Sequence, residues 1–343
     1  MDHAELLNTL YVTTPGAYCH LDHDTVRIER EGETLLRVPL HHLAGLVLFG
    51  HTMVSPGLLA RCAEDGRSLV WLDSRGRFQA RVEGPVSGNV LLRRDQMLRS
   101  QSPDGCAELA RAIVAGKIHN SRQTLLRSAR DTGGGAAEAL RAAAKVLGER
   151  PPSLARAADL DAIRGVEGHA AAVYFGVFGA MLRGDPGLTF EKRTRRPPRD
   201  PLNALLSFLY TLLTADCRAA LEAVGLDSQV GFLHALRPGR PALALDLVEE
   251  LRPLLADRLA LTLVNRRQLQ FDDFEVRPGG AVTMADAARR TVLVAYQERK
   301  REEVLHPLLD RRVPWGLVAH VQARLLARAV RGDVAAYEPY RYR

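Results

Sequence analysis

The stretch RFQARVEGPVSGNVLLRRDQMLRS, residues 77–100, contains the change of pattern that decides the fold. Its first residues alternate between apolar and polar side chains, which is typical of a strand with one buried face. EGPVSGN at 83–89 is rich in turn-forming residues and is predicted to be a linker. After it, apolar residues recur three or four positions apart, the period of an α-helix. The sequence therefore predicts an α+β protein in which a small N-terminal β-sheet domain precedes a larger all-α domain.

The region before this change, residues 1–85, is predicted to be the sheet domain. Short β-branched or alternating runs are separated there by turn signals such as Pro-Gly and Glu-Gly. SPGLLARCAEDG at 55–66 predicts one short helix, because Ser55 suits the N-cap and Pro56 suits the first helical position. SLVWLD and RFQARV predict a closing hairpin around residues 74–76. Since a small sheet has unpaired edges, we expect two copies to pair through this domain as a homodimer.

The region after the change is predicted to consist of a linker at 86–92 and an all-α domain at 93–343. Its periodicity predicts helices over 90–101, 104–130, 136–148, 156–184, 201–219, 243–265, 281–304 and 315–331. The run TGGG at 132–135 separates two helices and is not a phosphate-binding loop, because no strand precedes it and no Gly-Lys-Ser/Thr follows. The ending YEPYRYR at 337–343 is predicted to be partly ordered or, alternatively, a basic and aromatic contact for a partner.

The sequence also predicts the cellular compartment. The start MDHAELLNTLY lacks the basic and apolar regions of a signal peptide. The longest apolar run, AAAVYFGVFGAML at 170–182, is too short to cross a bilayer. The four cysteines are scattered and form no CxxC pair. We therefore expect a reduced, cytoplasmic protein with no membrane segment and no zinc site.

The net charge of +7 is unevenly distributed along the chain. Residues 1–85 carry eight arginines and eleven acidic residues, a net charge of −3, so the rest of the chain carries +10. A basic part joined to a mildly acidic part predicts a polyanion such as nucleic acid as the partner of the basic part. The alternative is an ordinary soluble protein whose basic composition has no such meaning.

Glu167 is the first candidate for a metal-binding side chain. Its neighbours on the predicted helix are Ile163, Ala170 and Tyr174, so it lies at the edge of an apolar stripe, whereas His169 falls on the opposite face. A carboxylate placed against a core needs a compensating charge. A bound cation would supply it. The alternatives are a buried ion pair with a basic side chain, or a glutamate that extends to the surface.

The stretch LHALRPGRPALALDLVEELRP at 233–253 contains the second group of candidates. Its apolar residues form one helical stripe, and three acids lie on the other side: Asp246, Glu249 and Glu250. Taken alone, these acids indicate a solvated face or the D-x-x-E start of a helix. His234 lies in an apolar context, where a histidine satisfied within the core is the alternative. Together with Glu167, the acids and His234 make a set that suits Mg²⁺ or Mn²⁺, and the imidazole favours Mn²⁺.

Basic residues in three segments predict contacts with DNA phosphates. In FEKRTRRPPRD at 190–200 the prolines oppose helix formation and keep the charges exposed, and NRRQ at 265–268 and YQERKREEV at 296–304 add further charges. The residues predicted to bind DNA are Lys192, Arg193, Arg195, Arg196, Arg199, Arg266, Arg267, Arg299 and Lys300. The alternative for each segment is a solvated loop with no ligand.

Four motifs in order resemble the CRISPR-associated protein one family, the integrase and endonuclease of CRISPR adaptation. They are AGKIHNSRQTLL, RRPPRDPLNALLSFLYTLL, VGFLHALRPGRPALALDLVEELRP and YQERKREEVLHPLL, and the wording is closest to the I-C subtype. The resemblance covers essentially the whole chain and implies a β-domain followed by an all-helical catalytic domain. It implies Glu167, His234 and Glu249 as metal ligands, with Asp246 as a neighbour of the metal or an alternative ligand. Glu250 matches no motif and is expected at the surface.

The resemblance also implies a reaction and partners. The 3′-hydroxyl of a new spacer would attack a phosphodiester of the CRISPR repeat in a metal-dependent step, and cleavage would use water as the nucleophile instead. The implied partners are double-stranded and branched DNA, a second copy of the chain, and the small CRISPR-associated protein two. Two alternatives remain from the residues alone: a general metal-dependent nuclease or junction resolvase, and a catalytically silent DNA-binding scaffold.

Overall fold

The chain packs into two compact units, Met1–Ser87 and Gly88–Arg343. The structure, a computed structural model, describes residues 8–73, 78–82, 84 and 90–343. Most of the predicted linker at 86–92 lies outside the described residues. Its last three positions, 90–92, belong to a helix that begins at Val90.

The first unit contains two four-stranded sheets and one helix among its described residues. The strands are β1 (Asn8–Val12), β2 (Tyr18–Asp22), β3 (Thr25–Arg30), β4 (Glu33–Pro39), β5 (Leu43–Phe49), β6 (Met53–Val54), β7 (Ser68–Leu72) and β8 (Phe78–Val82), and the helix is α1 (Pro56–Glu64). One sheet has the order β4-β3-β2-β6 and the other β1-β5-β7-β8. The predicted hairpin is present as the antiparallel pair β7 and β8, and its turn lies outside the described residues.

The core of this unit follows from the alternation of side chains along its strands. Val26 and Ile28, two positions apart on β3, are both buried, as is Leu46 on β5. The helix α1 adds Leu58 to the same core. Ser55 caps this helix as predicted, because its hydroxyl accepts a hydrogen bond from the Leu58 amide at 3.2 Å.

The second unit is mainly helical. Its helices are α2 (Val90–Gln101), α3 (Pro103–Arg130), α4 (Gly134–Gly148), α5 (Pro151–Ala155), α6 (Leu160–Gly176), α7 (Pro201–Ala223), α8 (Ala242–Arg252), α9 (Arg258–Asn265), α10 (Asp286–Arg301) and α11 (Trp315–Arg331). The long helix α3 packs against α4, α6 and α8, and α7 packs against α8 and α11. The helix α3 therefore packs against both α6 and α8.

The helical unit departs from the predicted all-α pattern at two hairpins. These are β9 (Phe274–Val276) with β10 (Val282–Met284), and β11 (Glu303–His306) with β12 (Arg311–Pro314). The strand β10 replaces the start of the helix predicted over 281–304, because β-branched residues favour a strand over a helix there.

Two of the predicted helices differ from the prediction: one ends earlier, and the other contains a π-helical turn. The helix predicted over 156–184 ends at Gly176 and is followed by a 3-10 turn at Phe178–Met181. The segment predicted over 243–265 is continuous, but it passes from α8 into α9 through a π-helical turn at Pro253–Asp257. Proline has no amide hydrogen for the regular ladder, which explains the wider turn.

The helix α7 is long and apolar enough to cross a membrane by length and composition alone. In the structure it lies in the core of the second unit, against α8 and α11. It also carries the buried polar side chain of Asn203, which is hydrogen-bonded within the unit. These contacts are those of a core helix.

The end of the chain is packed, in contrast to the predicted partly ordered ending. Tyr337 is 3% exposed and Tyr340 is 0% exposed. The Tyr340 ring contacts Trp315 of α11, with ring centroids 5.5 Å apart. The two aromatic residues supply the apolar area that holds this end in place.

Candidate active site

Three helices bring two acids and one lysine together. Glu167 comes from α6, Glu249 from α8 and Lys117 from α3. The Lys117 ammonium forms an ion pair with Glu167 Oε1 and another, at 2.6 Å, with Glu249 Oε2. The Lys117 side chain is only 4% exposed, whereas that of Glu167 is 25% exposed. One positive charge therefore stands between two carboxylates at the edge of the core.

His234 joins this cluster from the segment between α7 and α8. Its Nε2 atom lies 3.9 Å from Glu249 Oε1. Glu249 is thus the shared member of the cluster, because it contacts both His234 and the Lys117 ammonium, which also pairs with Glu167. Lys117 was not among the candidates from the sequence, although it lies in the quoted motif AGKIHNSRQTLL. The sequence signal that could have identified Lys117 is its position as a single charge among apolar helical neighbours, because such a charge requires a buried partner.

Asp246 has a different role, because its carboxylate is used entirely within the protein. It is 0% exposed and accepts hydrogen bonds from the backbone amides of Phe232, Leu233 and His234, at 2.6, 3.0 and 2.9 Å. It also contacts the Nδ1 atom of His234 at 2.7 Å. Since a carboxylate only accepts, the Nδ1 atom donates to Asp246, and the Nε2 atom is the one that faces Glu249.

The local sequence explains this geometry. A Cβ atom at Gly231 would lie 2.9 Å from Asp246 Oδ2 and 2.8 Å from the Ala242 side chain, so a larger residue would obstruct the turn. The helix α8 begins at Ala242, and its N-cap is Pro241. Asp246 is therefore not a helix cap, and neither Asp246 nor Glu249 lies on a solvated face. The structure thus excludes both alternatives from the sequence for these two acids, the solvated face and the D-x-x-E helix start.

The charges around Glu249 keep it ionised. Burial alone would raise the pKa of this carboxyl, but Arg252, Lys117 and His234 outweigh burial and lower the pKa to about 2. The Arg252 guanidinium donates to Glu249 Oε1 at 3.3 Å. Glu249 Oε2 is buried and accepts no aligned hydrogen bond from the described residues, although the Lys117 ammonium is close.

A buried network supports Arg252 from behind. Asp257 is 0% exposed and accepts hydrogen bonds from the hydroxyls of Tyr174 at 3.0 Å and Tyr210 at 2.6 Å. The Arg252 guanidinium lies over the Tyr210 ring, 5.4 Å from its centroid. Burial raises the pKa of both tyrosines, so they remain donors at neutral pH. The network thus holds the Arg252 guanidinium in place, and the guanidinium in turn holds the Glu249 carboxylate through its hydrogen bond.

The donor set suits a hard divalent cation. Carboxylate oxygens with one imidazole nitrogen are ligands of Mg²⁺ and Mn²⁺. As the side chains lie, no three His, Cys, Asp or Glu side chains among the described residues are placed to hold an ion together. The Lys117 ammonium takes the position between the two glutamates, and it balances the charge that a metal ion would balance. The donor types therefore fit a cation, and Lys117 supplies the positive charge between the two glutamates as the side chains lie.

Glu250, expected at the surface, is fully buried. Its carboxylate accepts hydrogen bonds from the Tyr337 hydroxyl and from the Tyr340 amide at 2.6 Å. Burial raises its pKa to about 7, although hydrogen bonds from Tyr337, Tyr340 and Gln322 oppose this rise. The expectation was wrong because the folded end of the chain covers this side of α8.

The basic residues separate into exposed and buried groups. Those exposed are Lys192, Arg195, Arg196, Arg199, Arg266 and Arg267. The other three are not free in solvent. Arg193 donates to Asn203 Oδ1 at 2.6 Å, Arg299 lies over the Trp315 ring at 5.4 Å, and buried Lys300 pairs with Asp216 at 3.0 Å. The expected exposure was wrong for Arg193, because it is bonded to an internal partner, and Arg299 and Lys300 likewise pack on an aromatic ring or an internal partner.

The fold and the site together define a class: a two-unit α+β protein whose basic helical unit holds a cluster of acids and histidine and also carries exposed arginines. Its sequence matches the family described as "CRISPR associated protein Cas1" over residues 10–298. The chain belongs to this Cas1 family. A relative from Moorella thermoacetica, named CRISPR-associated endonuclease Cas1 1, is 54% identical over 340 residues, which are 98% of this chain and 99% of the relative.

Solved structures show the same fold. A casposase bound to integration product has a TM-score of 0.83 and 19% identity, with 98% of this chain and 95% of that chain covered. A chain of a Cas6-RT-Cas1–Cas2 complex has a TM-score of 0.81 and 24% identity, with 98% of this chain but 36% of that longer chain covered. The comparisons confirm the α+β fold class, the family and the enzyme class that the sequence predicted.

Proposed function

We propose that this Cas1 chain is a metal-dependent DNA endonuclease and integrase of CRISPR adaptation. It would insert new spacers by attack of a spacer 3′-hydroxyl on a phosphodiester of the repeat. The observation that carries the proposal is the chain of contacts that joins Glu167 to Lys117, Lys117 to Glu249, and Glu249 to His234. The name of the relative from Moorella thermoacetica, an endonuclease, supports the same reaction class.

Glu167, His234 and Glu249 would hold Mg²⁺ or Mn²⁺, and the imidazole favours Mn²⁺. When bound, the metal would stabilise negative charge on the transferring phosphate. Asp246 holds the His234 ring with Nε2 toward the cluster, and Arg252 holds Glu249. The ammonium of Lys117 now pairs with both glutamates, so a bound metal ion would have to share or replace those contacts.

The reaction needs no covalent protein intermediate. In strand transfer, a bond forms between the attacking 3′-oxygen and phosphorus while the bond from phosphorus to the old 3′-oxygen breaks. In cleavage, water takes the place of the attacking hydroxyl. The exposed arginines, including Arg195, Arg196 and Arg266, would hold the DNA backbone, so they should set affinity and salt dependence with little base preference.

The proposed partners are double-stranded and branched DNA, a second copy of the chain and the small protein Cas2. Pairing of two copies would use the sheets of residues 1–85, whose outer strands leave edges to cover. The solved Cas6-RT-Cas1–Cas2 complex, whose chain shares the fold, supports Cas2 as a partner. We also propose the I-C subtype from the wording of the motifs, and the cytoplasm as the compartment from the four buried, unpaired cysteines.

The test is strand transfer on a branched DNA that contains the repeat, in Mn²⁺ and in Mg²⁺. Wild type is compared with Glu167→Gln and with Glu138→Gln, an exposed acid on α4 that serves as the matched control. We expect activity in wild type and in the control, and none in Glu167→Gln, with DNA binding kept in all three. Equal activity in Glu167→Gln would remove this residue from the site. Cleavage without strand transfer would favour a general nuclease, and no reaction even with Cas2 present would favour a DNA-binding scaffold.

A further inference from the structure

The end of the chain is hydrogen-bonded to the side of the helix pair next to the candidate active site. Residues 337–343 are called here the C-terminal segment. Glu250 of α8, 0% exposed, accepts from the Tyr340 amide at 2.6 Å and from the Tyr337 hydroxyl. Gln322 of α11 donates to the Tyr337 hydroxyl at 2.8 Å and lies 3.4 Å from Glu250 Oε2. A buried carboxylate thus anchors the segment to α8.

The same segment is bonded to α3. Asn120 is 0% exposed, and its Nδ2 atom donates to the carbonyls of Glu250 and Tyr340, both at 2.7 Å. Its Oδ1 atom accepts from the Tyr342 amide at 2.9 Å. The neighbouring His119 contacts the Tyr342 carbonyl through Nε2 at 2.8 Å. One asparagine therefore joins α3, α8 and the C-terminal segment at a single point.

These anchors are adjacent in sequence to the residues of the site. Glu250 follows Glu249, and Asn120 lies one helical turn after Lys117. The segment also approaches the α3 backbone closely, because a Cβ atom at Gly116 would lie 2.7 Å from the Pro339 side chain. The segment therefore contacts the turns of α3 and α8 that carry Lys117 and Glu249.

The C-terminal segment is anchored by a buried carboxylate, that of Glu250, which is more than is needed to attach a chain end. Burying a carboxylate is costly, and apolar packing of Tyr340 against Trp315 would hold a chain end without it. A fully bonded polar network instead restricts a contact to one arrangement. We propose that the C-terminal segment is a positioning element of the active site, which fixes Glu249 and Lys117 through Glu250 and Asn120. Tyr337 is a positioning residue within it. This inference rests on the proposed metal-dependent function.

Tyr337→Phe isolates this role. It removes one hydroxyl from the network and keeps the aromatic ring, and Tyr337 is too buried to contact DNA. Loss of a hydrogen bond made directly to a metal ligand typically weakens metal affinity by about 10–100-fold. Tyr337 bonds Glu250, the neighbour of Glu249, so we take the lower end of that range, about 10-fold. We expect Mn²⁺ affinity to fall by about that factor and kcat for strand transfer to fall with it, while KM for DNA stays unchanged.

The experiment measures Mn²⁺ affinity of the full chain from the electron paramagnetic resonance signal of the free ion. Val292→Ala, a buried substitution on α10, is the control for lost stability. Weaker Mn²⁺ binding in Tyr337→Phe, with unchanged binding in Val292→Ala at an equal or larger drop in Tm, supports the proposal. A Glu250→Gln and Tyr337→Phe double variant should lose less affinity than the two single losses combined, because both act on one network.

Two results would overturn the inference, and they are distinguishable. Mn²⁺ affinity and kcat in Tyr337→Phe equal to those of wild type, with only Tm reduced, would make the segment a structural anchor alone. No Mn²⁺ binding by wild type, or equal Mn²⁺ binding by wild type and Glu167→Gln, would instead reject the proposed metal centre, and this inference with it.

Discussion

Asp246 and Glu249 lie one turn apart on α8 and have different surroundings. Asp246 accepts hydrogen bonds from three backbone amides and contacts the His234 ring, whereas Glu249 faces Lys117 and His234. The D-x-x-E spacing predicted that the two acids belong to one site. It did not predict which acid would hold His234, because spacing fixes the side of a helix and not the partner. The geometry favours Glu249 as the ligand and Asp246 as the residue that orients His234.

Asp246→Asn is expected to slow strand transfer by about 10–100-fold. The asparagine keeps the shape but places an NH₂ group against backbone amides or against the protonated Nδ1 of His234, so the ring loses its fixed orientation. DNA affinity should be unchanged, because Asp246 is 0% exposed. The measurement is the strand-transfer rate at saturating DNA, together with the Kd for DNA.

Asp161→Asn is the matched control for this change, since the Asp161 side chain is 89% exposed on α6. It should transfer strands at the rate of wild type. If Asp246→Asn were equally fast, the hydrogen bond to His234 would have no part in the reaction.

Glu250 shows what sequence analysis cannot predict at the scale of single residues. Periodicity placed the acids of α8 opposite its apolar stripe and predicted a solvated side for Glu250. In the structure that side is covered by α3 and by the end of the chain, so Glu250 is buried. A pattern within one helix shows which face is apolar, but it contains no information about a distant segment that covers the other face.

At the scale of elements, the loop before α7 shows the same limit. Its arginines look alike in sequence, yet Arg193 donates to Asn203 and Ser207 and lies over the Tyr210 ring. Arg195 and Arg196 are exposed. Composition predicted a basic loop, and only packing distinguishes the arginine that holds the loop to α7 from those that face solvent.

Replacing Arg195 and Arg196 together by alanine is expected to weaken DNA binding without loss of stability. If both contact phosphates, the slope of log K against log salt should decrease by about two. Arg193→Ala should instead lower the free energy of unfolding by about 1–3 kcal/mol, because it leaves internal acceptors without their donor. Fluorescence anisotropy at several salt concentrations and urea unfolding measure the two effects.

The two variants serve as controls for each other, since they come from one loop. A salt slope unchanged in the Arg195 and Arg196 double variant would place the DNA elsewhere on the helical unit. Unfolding of Arg193→Ala at the urea concentration of wild type would mean that its bonds to α7 add nothing to stability.

At the scale of the whole molecule, the sequence predicted the α+β fold class, with a strand-rich region before a helical region. The alternating runs of residues 1–85 and the helical periodicity after 89 are local signals, and they correspond to the two observed units. The hairpins β9–β10 and β11–β12 were missed because short strands of three or four residues give too few repeats to show a period. Their pairing depends on contacts across a turn.

The cysteines provide a test of the two units. Cys19 and Cys62 lie in the first unit, and Cys106 and Cys217 lie in the second. All four are buried, and burial raises the pKa of Cys19 to about 12 and that of Cys62 to about 11. Since the thiolate is the reactive form, the thiols should resist labelling until the unit that contains them opens.

In increasing urea we expect two transitions of thiol labelling. Cys19 and Cys62 should become reactive first, because the smaller unit buries a smaller fraction of its surface on folding. Cys106 and Cys217 should follow together at a higher urea concentration. Short pulses of a thiol reagent, with the labelled peptides identified by mass spectrometry, measure each midpoint. If residues 1–85 pair two copies, the first midpoint should rise with protein concentration while the second stays constant. Labelling of all four cysteines at one midpoint would mean that the two units unfold as one.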